Sequence, residues 1–203
     1  MKLYDSPFAP NPRRVRFFLA EKGLAVPTVS IDIGKVEHKT PHYTAINPLQ
    51  RTPALELDSG EIITESVAIC RYFEEIHPEP ALFGRTPLEK AQVEMWQRRV
   101  ELEFFLPIGM AFRHSHPAMR ELEKPQIAEL AETSRPRAIA FARFLDSELA
   151  KRRFIAGDDF SIADITACCA ADFARAGRIE FPAELTHFAR WRAEVAARPG
   201  AAA

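Results

Sequence analysis

The 203-residue chain has almost no net charge: 27 Lys and Arg stand against 28 Asp and Glu, a formal balance of −1. A nucleic-acid partner calls for a clearly basic domain, and anchoring to an anionic membrane surface calls for a polybasic stretch; the composition offers neither. Cysteine is scarce. Cys70, Cys168 and Cys169 are an odd number at irregular positions, which excludes a disulfide framework. The adjacent pair lacks the C-x-x-C spacing of a redox site, and free thiols suit a reducing compartment. No run approaches the roughly 18–20 apolar residues of a membrane span, and no apolar signal stretch follows Lys2. The expected location is the cytoplasm, with no metal site, no nucleic acid and no membrane as partner. What the chain does have is 47% hydrophobic residues, fifteen of them Phe, enough for a real core in one large domain or two compact ones.

The first third changes periodicity several times. Lys2-Leu3-Tyr4 reads as a short strand stopped by Asp5-Ser6-Pro7. From Arg13 a helical pattern begins, with Val15, Phe18, Leu19 and Lys22 on one face and Gly23 as its stop. Thr28 to Ile33 alternates strictly, which predicts a half-buried strand with Val29, Ile31 and Ile33 facing one way. Residues 34–51 read as loop with one short helix. Ala54–Leu57 and Glu61–Ile63 flank the Asp58-Ser59-Gly60 turn as a hairpin. Glu65 and Ser66 then open a helix whose apolar face is Ile69, Tyr72, Phe73 and Ile76. The order β-α-β, then β-β-α, predicts one four-stranded sheet with helices packed on it.

Three prolines and a glycine between His77 and Pro87 mark a break in the chain. Beyond it the pattern is helical throughout: 88–105 with Pro107 as a kink or break, 125–151 with Pro136 as a bend, 161–176 and 187–197, followed by a frayed tail from Arg198. The expected organisation is an α/β domain over residues 1–77, a linker over 78–87 and an all-helical domain over 88–203.

Four segments carry candidate chemistry. Ser6-Pro7-Phe8-Ala9-Pro10-Asn11-Pro12-Arg13 runs from the first strand into the first helix, whose N-terminus attracts anions; Asn11 either caps that helix or donates to the anion. In Gln50-Arg51-Thr52-Pro53, a proline opens a strand, where it has no N–H to lose. Glu65 and Ser66 either serve their own helix start, or hold the ammonium and carboxylate of an α-amino acid head group. Ser161 and Asp164 have capping-box spacing, with Phe160 and Ile165 spaced as a hydrophobic staple, and read as structural.

Together, and in this order, the four segments resemble the soluble glutathione transferase family along essentially the whole chain. Asn47-Pro48 before Thr52-Pro53, and the closing Trp191 and Arg198-Pro199, belong to the same likeness. The resemblance implies a thioredoxin-like half that binds glutathione as co-substrate, an all-helical half that shapes a second-substrate pocket, and a homodimer. It implies a cis Thr52–Pro53 bond with the Thr52 backbone pairing with the cysteinyl part of glutathione. Glu65 and Ser66 would hold the γ-glutamyl end, and His38, Lys39, Gln50 or Arg51 would neutralise the glycine carboxylate. Phe8, Phe105, Met110 and Phe112, with Phe104 beside them, would form an apolar wall, with Arg113 and His114 at its rim.

Members of the family differ in the residue that contacts the sulfur. The loop here has no Cys, and Ala9 or Pro10 falls where serine-type members carry Ser. Asn11 is the remaining candidate, in a Pro10-Asn11 pair that resembles the bacterial disulfide-reductase-type and yeast prion-like branch; Ser6 and Tyr4 are fallback donors. The implied activity is attack of the glutathione thiolate on an electrophilic apolar substrate, or glutathione-dependent reduction of disulfides or peroxides. The alternative is a non-catalytic ligand-binding or regulatory module on the same fold.

Overall fold

The computed structural model describes all 203 residues, which divide into two compact units: residues 1–81 with 198–203, and residues 82–197. The first unit is built on β1 (Lys2–Asp5), α1 (Pro10–Glu21), β2 (Thr28–Ser30), α2 (Pro41–Ile46), β3 (Ala54–Glu56), β4 (Ile62–Thr64) and α3 (Ser66–Ile76). The strands form one mixed sheet in the order β2-β1-β3-β4, with β2 parallel to β1 and the other pairs antiparallel. This is the thioredoxin-like arrangement that the β-α-β, β-β-α order predicts.

Registers explain how the sheet is covered. Tyr4 lies opposite Ala54, and Leu3 opposite Leu55. Neighbours across a sheet share a face, so these two rows point to opposite sides. Tyr4 and Ala54 pack with Ile31 and with Tyr43 and Ile46 of α2. Leu3 and Leu55, fully buried, are left to the face covered by α1 and α3, which pack on each other and bury Val15, Phe18, Ile69 and Phe73.

Helix α1 begins at Pro10, three residues before the apolar pattern, because proline fits the first helical position and its fixed φ favours entry into the helix. It ends as read: Gly23, at φ 66°, closes a Schellman motif in which Leu24 N–H donates to Leu19 O at 2.9 Å and Gly23 N–H to Ala20 O at 3.0 Å. The second strand departs from expectation. It stops at Ser30 and is exposed, because it is the sheet edge with a single neighbour. Of the alternating set only Ile31 is buried; it lies past the strand. The strand is ended by a turn in which Asp32 accepts from Lys35 N–H at 3.1 Å and Glu37 from Asp32 N–H at 2.7 Å. The stretch read as loop then holds a 3-10 turn at Glu37–Lys39 before α2, which Thr40 caps.

The second unit is all-helical: α4 (Pro87–Val100), α5 (Leu106–Ser115), α6 (Ala128–Leu149), α7 (Ile162–Phe173) and α8 (Thr186–Ala196). Of the kink or break expected at Pro107, the break is absent. One wide π turn at Glu101–Phe105 joins α4 to α5, with Leu106 N–H bonded to the Glu101 carbonyl five residues back. Proline lacks an N–H and its ring would strike the carbonyl of residue i−4; widening the turn lets the helix run on through it. Pro136 sits inside α6. The core is aromatic, centred on Phe104, whose ring lies 5.6–6.2 Å from those of Phe141, Phe181 and Phe188. Phe104 is thus core of this unit and not an exposed wall.

The tail is not frayed. Residues Pro199–Ala202 form a 3-10 turn that packs on α1 and belongs to the first unit. Glu21 accepts from Arg198 Nη2 at 2.6 Å and Gly200 N–H at 3.1 Å, and Arg13 donates to the Ala201 carbonyl at 3.0 Å. Gly200 sits so close to Phe17 that a Cβ there would come within 2.4 Å of the ring.

Candidate active site

One edge of the sheet gathers the candidate residues of the first unit. Tyr4, Ala54 and Thr64 form a single row across β1, β3 and β4. From that row the chain leaves β1 into the loop before α1, enters β3 through Thr52-Pro53, and leaves β4 into Glu65-Ser66. The parallel strand β2 also ends there, with Ser30 beside Asp5. Two strand gaps span about 10 Å, close to the length of an extended tripeptide.

At the first exit, Ala9 is the N-cap of α1, in extended backbone and with no side chain to serve the helix. Asn11 is therefore not the cap; it lies inside the first turn, half-buried, with no hydrogen bond to the rest of the chain. Pro10 and Pro12 on either side of it have no N–H. Asn11 thus supplies the one backbone N–H of the first three helical positions, and a side-chain amide beside it. The fallback donors lie on the same strand and turn. Tyr4 is buried in the sheet, its hydroxyl donating to Glu56 at 2.7 Å, and burial, with that carboxylate, raises its pKa. Ser6 is buried, with its carbonyl closing a turn onto Ala9 N–H at 3.1 Å. Phe8 at the tip of that turn is 95% exposed.

The Thr52–Pro53 bond is cis, as the family resemblance implies. Neither the N–H nor the carbonyl of Thr52 bonds to another backbone group. Its position is set one residue earlier, where the Arg51 carbonyl accepts from Tyr43 Oη and from Asn47 Nδ2, both at 2.7 Å. Burial pushes the Tyr43 hydroxyl up to about 12, so it stays a donor at neutral pH. Gln50, at φ 54°, commits its amide nitrogen to Thr44 Oγ1 at 3.1 Å.

At the third exit Glu65 departs from the sequence reading. It precedes α3 as its N-cap, at φ 66° and ψ 114°, and does not sit in the first turn. Such backbone is uncommon for a residue with a Cβ and costs on the order of 1–3 kcal/mol. The carboxylate is exposed and pairs with no cation of the chain. Ser66 opens the helix, buried, and its Oγ accepts from Arg14 Nη1 at 2.7 Å. Because Arg14 can only donate, the Ser66 hydroxyl proton is left for another acceptor. Arg14 itself is 2% exposed, a charge on α1 buried behind α3 that its helix-face position did not announce.

His38 is buried in the 3-10 turn beyond β2, 7% exposed, and its Nδ1 has no partner. Burial, with Lys39 beside it, holds its pKa below the ordinary value, so the ring is neutral at pH 7. Lys39 and Arg51 are exposed cations without a carboxylate partner.

In the helical unit, Phe105, Met110 and Phe112 are half-buried. Phe112 lies edge-on to Phe173 at 4.8 Å, and Arg113 is ion-paired with Glu123 at 2.6 Å. His114 is buried and accepts from Ile127 N–H at 3.2 Å. The Ser161–Asp164 pair caps α7 as read, Asp164 Oδ2 accepting from both the N–H and the hydroxyl of Ser161 at 3.0 Å. Two partners were not foreseen: Ile155 N–H at 2.9 Å and Trp191 Nε1 at 2.8 Å, both to Oδ1. The spacing within 161–164 could not reveal contacts from outside that segment.

A paired α/β and all-helical architecture with these exits defines a class, and comparison with known proteins agrees with it. Residues 3–81 match the family described as glutathione S-transferase, N-terminal domain, and residues 103–199 that described as glutathione S-transferase, C-terminal domain. The chain is 38% identical over 202 residues to glutathione S-transferase 2 of Saccharomyces cerevisiae, covering 98% of this chain and 87% of that one. The crystal structure of Gtt2 from the same yeast superposes with a TM-score of 0.94 at 37% identity, covering 98% of each chain. A glutathione S-transferase domain-containing protein of Marinobacter aquaeolei gives 0.95 at 37% identity, covering 98% of this chain and 99% of that one. The chain belongs to the glutathione S-transferase family and is a transferase enzyme, which sets the catalytic reading above the ligand-carrying alternative. No helix is long and apolar enough to cross a membrane.

Proposed function

We propose that this enzyme binds glutathione extended along the row of strand ends and presents its thiolate at the start of α1. The observation that carries this is that three segments with unused hydrogen-bonding groups enter or leave the sheet at one row of strand ends: the Thr52 backbone, the Glu65 carboxylate with the proton of the Ser66 hydroxyl, and the Asn11 amide. The Thr52 backbone pairs with the cysteinyl residue as an added strand would. Glu65 takes the γ-glutamyl ammonium, and Ser66, held by Arg14, donates to its carboxylate. At the glycine end His38 is neutral and donates a hydrogen bond, while Lys39 and Arg51 supply the charge; Gln50 contributes through its backbone position.

The sulfur lies at Asn11. A free thiol has a pKa of about 8.5, and lowering it two units takes roughly 3 kcal/mol. A hydrogen bond to a charged group supplies about 1.5–3 kcal/mol, and a helix N-terminus about 0.3–2 more. The site needs no general base, only a preference for the thiolate. The thiolate then attacks an electrophilic carbon, forming the C–S bond as the leaving group departs with its electron pair. With a disulfide substrate, two glutathione molecules supply two electrons and leave as their own disulfide. In the helical unit Phe105, Met110 and Phe112 serve an apolar second substrate, and Arg113, paired with Glu123, contributes through packing more than free charge. The working form is a cytoplasmic homodimer.

The test is a pH titration of thiolate absorbance in the glutathione complex. An apparent pKa about two units below that of free glutathione supports the reading. Saturable binding with an unshifted thiol removes the catalytic part, and no binding at millimolar glutathione removes all of it.

A further inference from the structure

The mechanism above makes no use of Arg16, yet this is the one side chain that hydrogen-bonds to the turn between β1 and α1. Its guanidinium forks across the turn. Nη1 donates to Asp5 Oδ1 at 2.6 Å and Nη2 to the Pro7 carbonyl at 2.9 Å. Both carboxylate and guanidinium are largely removed from solvent, so the pair is not an ordinary surface ion pair. Asp5 is also fixed from the other side, where its carbonyl accepts Ile31 N–H at 2.7 Å. The fork therefore references the turn to the sheet.

Little else holds that turn. Its internal bond is Ala9 N–H to the Ser6 carbonyl at 3.1 Å, and Ala9 in turn accepts the first helical bond, from Arg13 N–H at 3.2 Å. Phe8 at the tip, 95% exposed, buries nothing that would anchor it. Any swing of Pro7 carries Phe8 and Ala9 with it, and with Ala9 the first turn of the helix.

We propose that Arg16 is a positioning residue, which clamps Asp5 and Pro7 from α1 and so fixes the height of the Asn11 amide and the Phe8 ring above the strand ends. This rests on the glutathione reading, because what is positioned is the sulfur against its electrophile. Thr52, Glu65 and Ser66 stand on other exits of the sheet, so the bulk of glutathione binding does not depend on the clamp. Reaction geometry does: a displacement near 1 Å can cost about a hundredfold in rate. Arginine is needed because its planar fork reaches two acceptors at once, whereas a lysine ammonium would serve one of them without the fork geometry.

The experiment uses the full chain with glutathione and a chlorodinitrobenzene-type electrophile. In Arg16→Gln the dissociation constant for glutathione is expected to stay within about threefold, while kcat falls about tenfold or more and the pH profile of kcat moves upward. Arg16→Lys is expected to recover part of kcat. Asp5→Ala should reproduce part of the loss, and the double variant Asp5→Ala/Arg16→Gln should be no worse than Arg16→Gln alone, because the two act as one unit. If Arg16→Gln does not fold, the Arg16→Lys and Asp5→Ala variants carry the test, with a kcat loss at unchanged glutathione affinity expected in each. A lowered melting temperature with unchanged kcat and pH profile, or glutathione affinity falling in step with kcat, overturns the proposal. Wild-type protein that binds no glutathione overturns the functional reading first and the role of Arg16 with it; binding in wild type with unaltered kinetics in the variants overturns Arg16 alone.

Discussion

At the scale of single residues, the proposed site is assembled from groups that the chain leaves without partners. Asn11 lies between two prolines and carries the one backbone N–H of the first three helical positions. Asn11→Ala removes the side-chain donor and keeps the backbone one. The expected result is a rise of about one to two units in the pKa of bound glutathione, read from thiolate absorbance, with turnover at neutral pH reduced about tenfold. An unchanged pH profile would take Asn11 out of that role. Glu65 is the complementary case. Its strained backbone is held by the fold, and its carboxylate is bonded to nothing, so Glu65→Gln should leave thermal stability nearly unaltered while weakening glutathione about tenfold or more by calorimetry. A stability loss without an affinity loss would mean that the carboxylate serves the fold. These candidates could be named from the sequence because each lies at a punctuation point: a Pro-Asn-Pro run, a Thr-Pro pair, a Glu-Ser helix start. Arg14 and Arg16 were not, because both sit on what reads as an ordinary charged helix face. Only the third dimension shows one of them reaching Ser66 and the other Asp5 and Pro7.

At the scale of elements, local chemistry and long-range packing divide the outcome. The hairpin, the Gly23 stop and the Ser161–Asp164 start are fixed by neighbours in the chain, and so could be read. The length of β2 and the passage of the helix through Pro107 depend on how many strands flank an edge and on a bonding pattern that no residue type announces. The start of α7 joins the two levels, since Asp164 also receives Ile155 and Trp191. Trp191→Phe removes one of these bonds from a buried carboxylate and should destabilise the helical unit by about 1–2 kcal/mol in a denaturant titration. Burial raises Asp164 from its usual 3.8 to about 6. For an acid with a raised folded pKa, the folded state binds the extra proton, so the associated stability is full below about 3.8 and is lost as pH rises through 6. The penalty of Asp164→Ala relative to wild type should accordingly shrink between pH 4 and pH 7. A penalty that grows over that range would contradict burial as the dominant influence on this carboxylate.

At the scale of the whole molecule, sequence order and spatial grouping part company at the tail. Arg198–Ala203 follow the last helix of the second unit, yet they complete the first. The reason lies in three contacts with α1, the helix whose first turn carries Asn11: the Glu21 carboxylate, the Arg13 guanidinium and the Phe17 ring. Gly200→Ala would drive a methyl into Phe17 and should lift the tail from α1, at a cost of about 1–3 kcal/mol. Faster hydrogen exchange in α1 would mark the change, and unaltered exchange would show that the tail does not brace the helix.

The most direct test of the glutathione socket is a crystal structure of this protein with glutathione bound. The tripeptide is expected across the strand ends, its cysteinyl backbone paired with Thr52, its γ-glutamyl group on Glu65 and Ser66, and its sulfur within hydrogen-bond reach of Asn11. Glutathione seated away from that row, or a sulfur pointing away from the start of α1, would contradict it.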